Sequence, residues 1–109
     1  MPQVERRRAP RTEARLLVSY RAEDAAPTPA GFVNSLNLSD LGMLLESPDA
    51  FQVGSQLVFE ILLDYDNTAH VQGRVIRVKS ADHGFNRIGI EFQNMSAQAK
   101  KLLHSQAIG

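Results

Sequence analysis

Two short constellations in this chain carry side chains suited to holding a small anion with flat, polar edges. The first is Arg6-Arg7-Arg8-Ala9-Pro10-Arg11, in which Arg7 and Arg11 stand four residues apart. A guanidinium is a planar fork of N–H donors that grips a phosphate with two hydrogen bonds, and its flat face stacks on an aromatic base. The second is Asn37-Leu38-Ser39-Asp40-Leu41-Gly42. Asn37 and Ser39 are two residues apart, so on an extended segment they project from one side. Their oxygens accept hydrogen bonds from N–H groups such as those on a guanine edge, and the serine hydroxyl also donates. Gly42 allows a left-handed backbone or the close approach of a ligand. Each constellation alone has an ordinary explanation, since basic termini are commonly just solvated and Asn, Ser, Asp and Gly are the usual loop residues.

Other chemistries find little support. The chain has no cysteine, which excludes disulfides, a thiol nucleophile and thiolate metal sites, and suits a reducing compartment. His70, His83 and His104 are scattered without metal-ligand spacing. Asp64-Tyr65-Asp66-Asn67 gathers two carboxylates but lacks the glycine and terminal Glu of a calcium loop, so a hairpin turn explains it. No Gly-rich phosphate loop, Gly-x-Ser-x-Gly elbow or triad spacing is present, and the expectation is a protein that is not an enzyme. Lys plus Arg and Asp plus Glu balance at 12 each, which argues against a chain-wide field for DNA or RNA. The local excess lies between Met1 and Arg15, where five arginines face two glutamates. No apolar run spans a bilayer and no apolar stretch follows the basic start, so the expectation is a cytoplasmic protein that does not insert into membranes.

The elements that must position these residues are short strands. Residues 1–12, polar and holding Pro2 and Pro10, read as a flexible arginine-rich arm, and residues 13–109 as one domain. Leu16, Val18 and Tyr20 alternate with polar neighbours as a strand does. After the proline-bearing stretch Asp24–Gly31, a second strand runs from Gly31 to about Leu36, residues 37–42 form a turn, and Met43 to Glu46 make a third. In the fourth, Leu57, Phe59, Ile61 and Leu63 face one way and Val58, Glu60, Leu62 and Asp64 the other. A fifth strand covers Val71 to Val78 with a bulge near Gly73, and Ile88, Ile90 and Phe92 mark a sixth. Tyr20, Phe59 and Phe92 fall in apolar alternation and are expected in the core rather than stacked on bases. Met95, Ala99, Leu102 and Leu103 then recur at helical spacing behind Ser96 or Asn94 as N-cap. Six strands and one helix predict an antiparallel barrel or sandwich with the helix packed on an open end.

Taken together the two constellations resemble the signature of PilZ domains: Arg-x-x-x-Arg, a spacer of roughly 20 to 30 residues, then Asp or Asn-x-Ser-x-x-Gly. The spacer here, Thr12 through Leu36, is 25 residues. Arg11 and Arg15 also satisfy the first half, but the earlier pair precedes the first strand, as in the family. Glu5–Arg11 before Leu16-Leu17-Val18-Ser19-Tyr20, Gly73-Arg74-Val75-Ile76-Arg77-Val78, and Ile88-Gly89-Ile90-Glu91-Phe92 before a helix extend the resemblance along the chain. The resemblance implies a mainly all-β fold: a six-stranded antiparallel β-barrel with a C-terminal α-helix. It implies a ligand, the bacterial second messenger cyclic di-GMP, and no cofactor. Arg7 and Arg11 would contact phosphate and guanine, Asn37 and Ser39 would hold a guanine, Gly42 would shape the turn, and Arg6 would favour an intercalated ligand dimer. A downstream protein partner would read the bound state. The alternative is a ligand-independent adaptor of the same fold, with Val58 and Leu62 as part of its surface.

Overall fold

The computed structural model describes residues 15–23, 31–39, 41–49, 51–64 and 66–108, with side chains through His104. The expected arm, and with it Arg6, Arg7 and Arg11, lies outside the described residues. Within them the order is β1 (Leu16–Ala22), β2 (Gly31–Leu38), β3 (Gly42–Ser47), β4 (Gln56–Asp64), β5 (Asn67–Ser80), β6 (Asn86–Met95) and α1 (Ala97–Ile108). The strands close into a barrel in the order β1-β2-β3-β6-β5-β4, and every neighbouring pair is antiparallel. Closure removes the sheet edges that would otherwise invite pairing with another chain.

The alternation seen in the sequence fills the barrel. Val18, Val33, Leu45, Phe59, Ile61, Val71, Val75, Ile88 and Ile90 are buried in one core cluster, with Leu57 and Leu63 half-buried beside it. Tyr20 and Phe92 pack against that cluster. Four serines are also buried, Ser19, Ser35, Ser39 and Ser47, and the hydroxyls of the last three each accept a backbone N–H: from Leu16 at 3.2 Å, Leu41 at 3.1 Å and Asp49 at 3.0 Å. Burial without such partners would cost about 1–3 kcal/mol apiece.

The connection from β3 to β4 links strands on opposite sides of the closed ring, and Phe51 within it packs on Tyr20 with ring centroids 4.9 Å apart. The Tyr20 hydroxyl donates to Asp49 at 3.2 Å, tying the same connection to β1. The helix starts where expected: the Ser96 hydroxyl accepts the Ala99 N–H at 3.0 Å, an N-cap bond. It packs on β5 and β2 and gives Ala99 and Leu103 to the core.

Three features differ from the sequence reading. Strand β2 runs on to Leu38, so Asn37 is a strand residue and not part of the turn. Strand β5 likewise begins at Asn67 rather than Val71, so it includes His70, whose Nε2 lies 3.5 Å from Glu60. The β5–β6 register shifts at Gln72/Gly73, where the extra residue is Gln93 on β6 and not one on β5, and again between Val75 and Arg77, where it is Ile76 on β5.

Candidate functional site

Alternation alone would place Val33, Ser35 and Asn37 on the same, inner face of β2. The register against β3 shows why it does not. Ser35 pairs with Leu45 and Asn37 with Leu44, so Leu36 is an extra residue, a bulge. The extra residue rephases the strand: Leu38 turns inward and is fully buried, while Asn37 turns out. Asn37 and Ser39 then line one groove on the outside of the barrel, with Gly42 between them and β6. The spacing of the motif and its position beside Leu36 therefore act together.

Ser39 is more constrained than its type suggests. Its N–H donates to the Gly42 carbonyl at 3.0 Å, closing the turn, and its Oγ accepts the Leu41 N–H while lying 3.4 Å from the Gly42 carbonyl. The Phe92 N–H donates to the Leu41 carbonyl at 2.9 Å and pins the turn to β6. A hydroxyl has two lone pairs, so one remains on the Ser39 Oγ after it accepts the Leu41 N–H, in a residue only 4% exposed.

Gly42 departs from the left-handed reading, because the positive-φ glycines among the described residues are Gly54 and Gly84. Close approach explains it, to the chain itself: a Cβ there would sit 2.3 Å from the Ile90 carbonyl oxygen. Strand β3 can pair so tightly with β6 at this point only through glycine.

The groove encloses about 490 Å³ and crosses four strands. Following the registers outward from Asn37 on β2 gives Leu44 on β3, Gly89 on β6 and Arg77 on β5. Leu41, 69% exposed, and Ile76, 45% exposed, stand at its rim. Glu91 also lines it, but its carboxylate is engaged by Arg74 at 3.1 Å, which blunts its repulsion of an anion. Leu41, Ile76, Arg77, Gly89 and Glu91 were not singled out from the sequence. The available signal was the run Val75-Ile76-Arg77-Val78, where strict alternation fails.

The chain enters the barrel beside this groove. Leu16, first in β1, pairs with Ser35, two residues from Asn37. Arg15 just before it donates to Glu46 at 2.9 Å, so this arginine is committed to a pair across the sheet. Among the described residues, no three His, Asp or Glu side chains gather as a metal site needs, and no helix is long and apolar enough to cross a membrane.

A small closed antiparallel barrel with a groove of mixed polar and apolar lining over β2, β3, β6 and β5 defines the structural class of this chain. The particular family follows from the sequence: its model matches residues 5–108, and this chain belongs to the PilZ domain family. Comparison with curated proteins finds no match. Solved structures with the same fold include the inhibitor of motility MotI/DgrA of Bacillus subtilis, at 22% identity and TM-score 0.75, aligned over 96% of this chain. This chain spans 50% of that protein's length. The PilZ domain of YcgR from Escherichia coli, solved with c-di-GMP, aligns at 19% identity and TM-score 0.69 over 95% of this chain and 90% of its own. The PilZ domain of CeSA from a cellulose-synthesizing bacterium aligns at 18% identity and TM-score 0.61 over 91% and 95%. At such identities the likeness is one of fold.

Proposed function

We propose that this chain is a cytoplasmic, non-enzymatic receptor for cyclic di-GMP. The observation that carries the reading is the outward turn of Asn37 beside the bulge at Leu36, which sets it with Ser39 in a groove next to the point where the arginine segment joins β1. Membership in the PilZ family and the c-di-GMP complex of the YcgR domain support the choice of ligand. Asn37 and Ser39 hold one guanine, Gly42 keeps the turn against β6, and Arg7 and Arg11 grip phosphate and guanine. Arg6 adds the contact that favours a second, intercalated ligand.

The reach is sufficient. Arg11 lies four residues before Arg15, and a chain extends by at most about 3.3–3.6 Å per residue, so Arg11 comes within roughly 15 Å of the barrel surface. Folding residues 7–11 onto the ligand costs on the order of 1–2 kcal/mol of backbone entropy per residue. Charge-assisted hydrogen bonds from two guanidinium forks return about 1.5–3 kcal/mol each. With two hydrogen bonds from each fork the gain is comparable to the cost, and stacking of the guanidinium faces on guanine tips the balance, so the arm (residues 1–12) closes over the domain (residues 13–109) when ligand is present. That closure changes the face offered to a downstream protein partner.

Amide chemical-shift mapping tests the placement. Cyclic di-GMP should move the signals of Asn37, Ser39, Leu41 and Gly89 and leave those of Leu17 and Leu62 in place. Shifts confined to the Leu17 and Leu62 face would contradict it.

One observation favours the adaptor reading as a second possibility. Leu17, Phe32 and Leu62 are 45%, 63% and 42% exposed on the outside of β1, β2 and β4. Apolar side chains gathered on an outer sheet face suit protein contact. If this surface is the functional one, Leu17→Asp with Leu62→Asp abolishes function in the cell while Arg7→Ala with Arg11→Ala does not.

A further inference from the structure

The wall of the groove opposite Asn37 is built by a second rephased strand. On β5, Val75 pairs with Ile90 and Arg77 with Gly89, so Ile76 is an extra residue and Arg77 is turned outward, into the groove. Arg77 has no hydrogen bond or ion pair among the described residues, unlike Arg15 and Arg74, which are paired with Glu46 and Glu91. Its Nη2 lies 3.7 Å from where a Gly89 Cβ would be, so the guanidinium lies along the glycine.

Gly89 is open for no reason of packing. A Cβ there would meet its neighbours at 3.6 Å and beyond, which is ordinary contact, and its φ is not positive. Gly42, by contrast, is forced by the Ile90 carbonyl. The missing side chain at Gly89 lets the Arg77 side chain lie over the β6 backbone there, at the groove's far wall from Asn37. Asn37 and Arg77 are separated by three strand spacings, about 14 Å, a span that one dinucleotide held at Asn37 and the long Arg77 side chain together can bridge.

We infer that Arg77 reads the second guanine of the ligand, through its O6 and N7 edge. This rests on the receptor reading above and adds a base-specific contact on β5. Guanine presents two acceptors, O6 and N7, to a guanidinium fork; adenine presents one acceptor and the N6 amine, a donor that opposes the fork. Arg77 thus makes the groove prefer a ligand with guanine at both ends over one with a single guanine. Glu91 does not compete for Arg77, being held by Arg74 at 3.1 Å.

The test is calorimetric titration of the whole chain with cyclic di-GMP and with the hybrid cyclic GMP–AMP, which has one guanine for Asn37 and one adenine. The wild type should prefer cyclic di-GMP by roughly tenfold or more. Arg77→Ala should lower affinity for cyclic di-GMP until the two ligands bind about equally, and Arg77→Lys, which still donates to O6 and N7, should keep part of the preference. Arg77 is exposed, so circular dichroism of the variants should match the wild type. Asn37→Ala separates the two readings. Binding lost in Asn37→Ala but unchanged in strength and preference in Arg77→Ala overturns the role of Arg77 alone. Absence of cyclic di-GMP binding by the wild type overturns the receptor reading and the role of Arg77 with it.

Discussion

At the residue scale, Gly42 and Ser39 are chosen by the protein before any ligand arrives. A methyl group at position 42 would press on the Ile90 carbonyl, a backbone atom that cannot swing away. Gly42→Ala should therefore destabilise the fold by about 1–3 kcal/mol, lowering Tm by roughly 4–24 °C. A change of less than about 2 °C by thermal unfolding would contradict the packing account. Loss of binding in that variant would follow from the displaced turn. Asn37 and Arg77 are different: both lie on the outer surface at bulges, where what they touch is set by register rather than by core packing. That distinction was hidden in the sequence. Asn, Ser and Gly at the right spacing were legible, but nothing in their types says that Gly42 answers to β6 or that Ser39 spends most of its hydroxyl on its own loop. Arg77 was invisible because its role needs Gly89 beside it, and the two are twelve positions apart.

At the element scale, the strands were legible because a barrel buries one face and solvates the other, so Leu57, Phe59, Ile61 and Leu63 announce β4 directly. The bulges were less so. An irregularity at Gly73 was anticipated, but its extra residue is Gln93 on β6, and the bulges at Leu36 and Ile76 come from pairing with β3 and β6, which no local pattern encodes. The helix was readable from Ala99 and Leu103, and its energetics follow. Leu103 is fully buried, so Leu103→Ala should cost about 2–5 kcal/mol. Ser96→Ala, removing one capping bond, should cost only about 1 kcal/mol. Equal losses in chemical denaturation would mean that α1 is not anchored through its apolar face. The β3–β4 connection yields a pH prediction. Burial, then the charge and hydrogen bond of Asp49, raise the Tyr20 phenol above its ordinary 10.0. The neutral phenol is thus the form the fold favours, and its stabilisation is complete below pH 10 and lost as pH rises through the folded-state value. In a Tyr65→Phe background, absorbance titration should show Tyr20 ionising above free tyrosine, with Asp49→Asn bringing it down. Ionisation at or below the free value would remove the Asp49 contact from the account.

At the scale of the whole molecule, the barrel brings together residues far apart in sequence. Asn37 on β2, Gly89 on β6 and Arg77 on β5 line one groove that crosses four adjacent strands, and β1 begins beside it, where Leu16 pairs with Ser35. The fold could be read from alternation and from the family signature. The complete groove could not, since it depends on which strands are neighbours in a closed ring. Two arginines from the segment and a guanine site on the barrel should act as one unit, each adding little without the other. The measurement that tests this most directly is titration of cyclic di-GMP into the chain and into its Arg7→Ala, Arg11→Ala variant, with GTP as control. Micromolar or tighter binding by the chain, lost in the variant and absent for GTP, is the predicted result. A folded chain that gives no heat with cyclic di-GMP, or a variant that binds as well as the wild type, would contradict it.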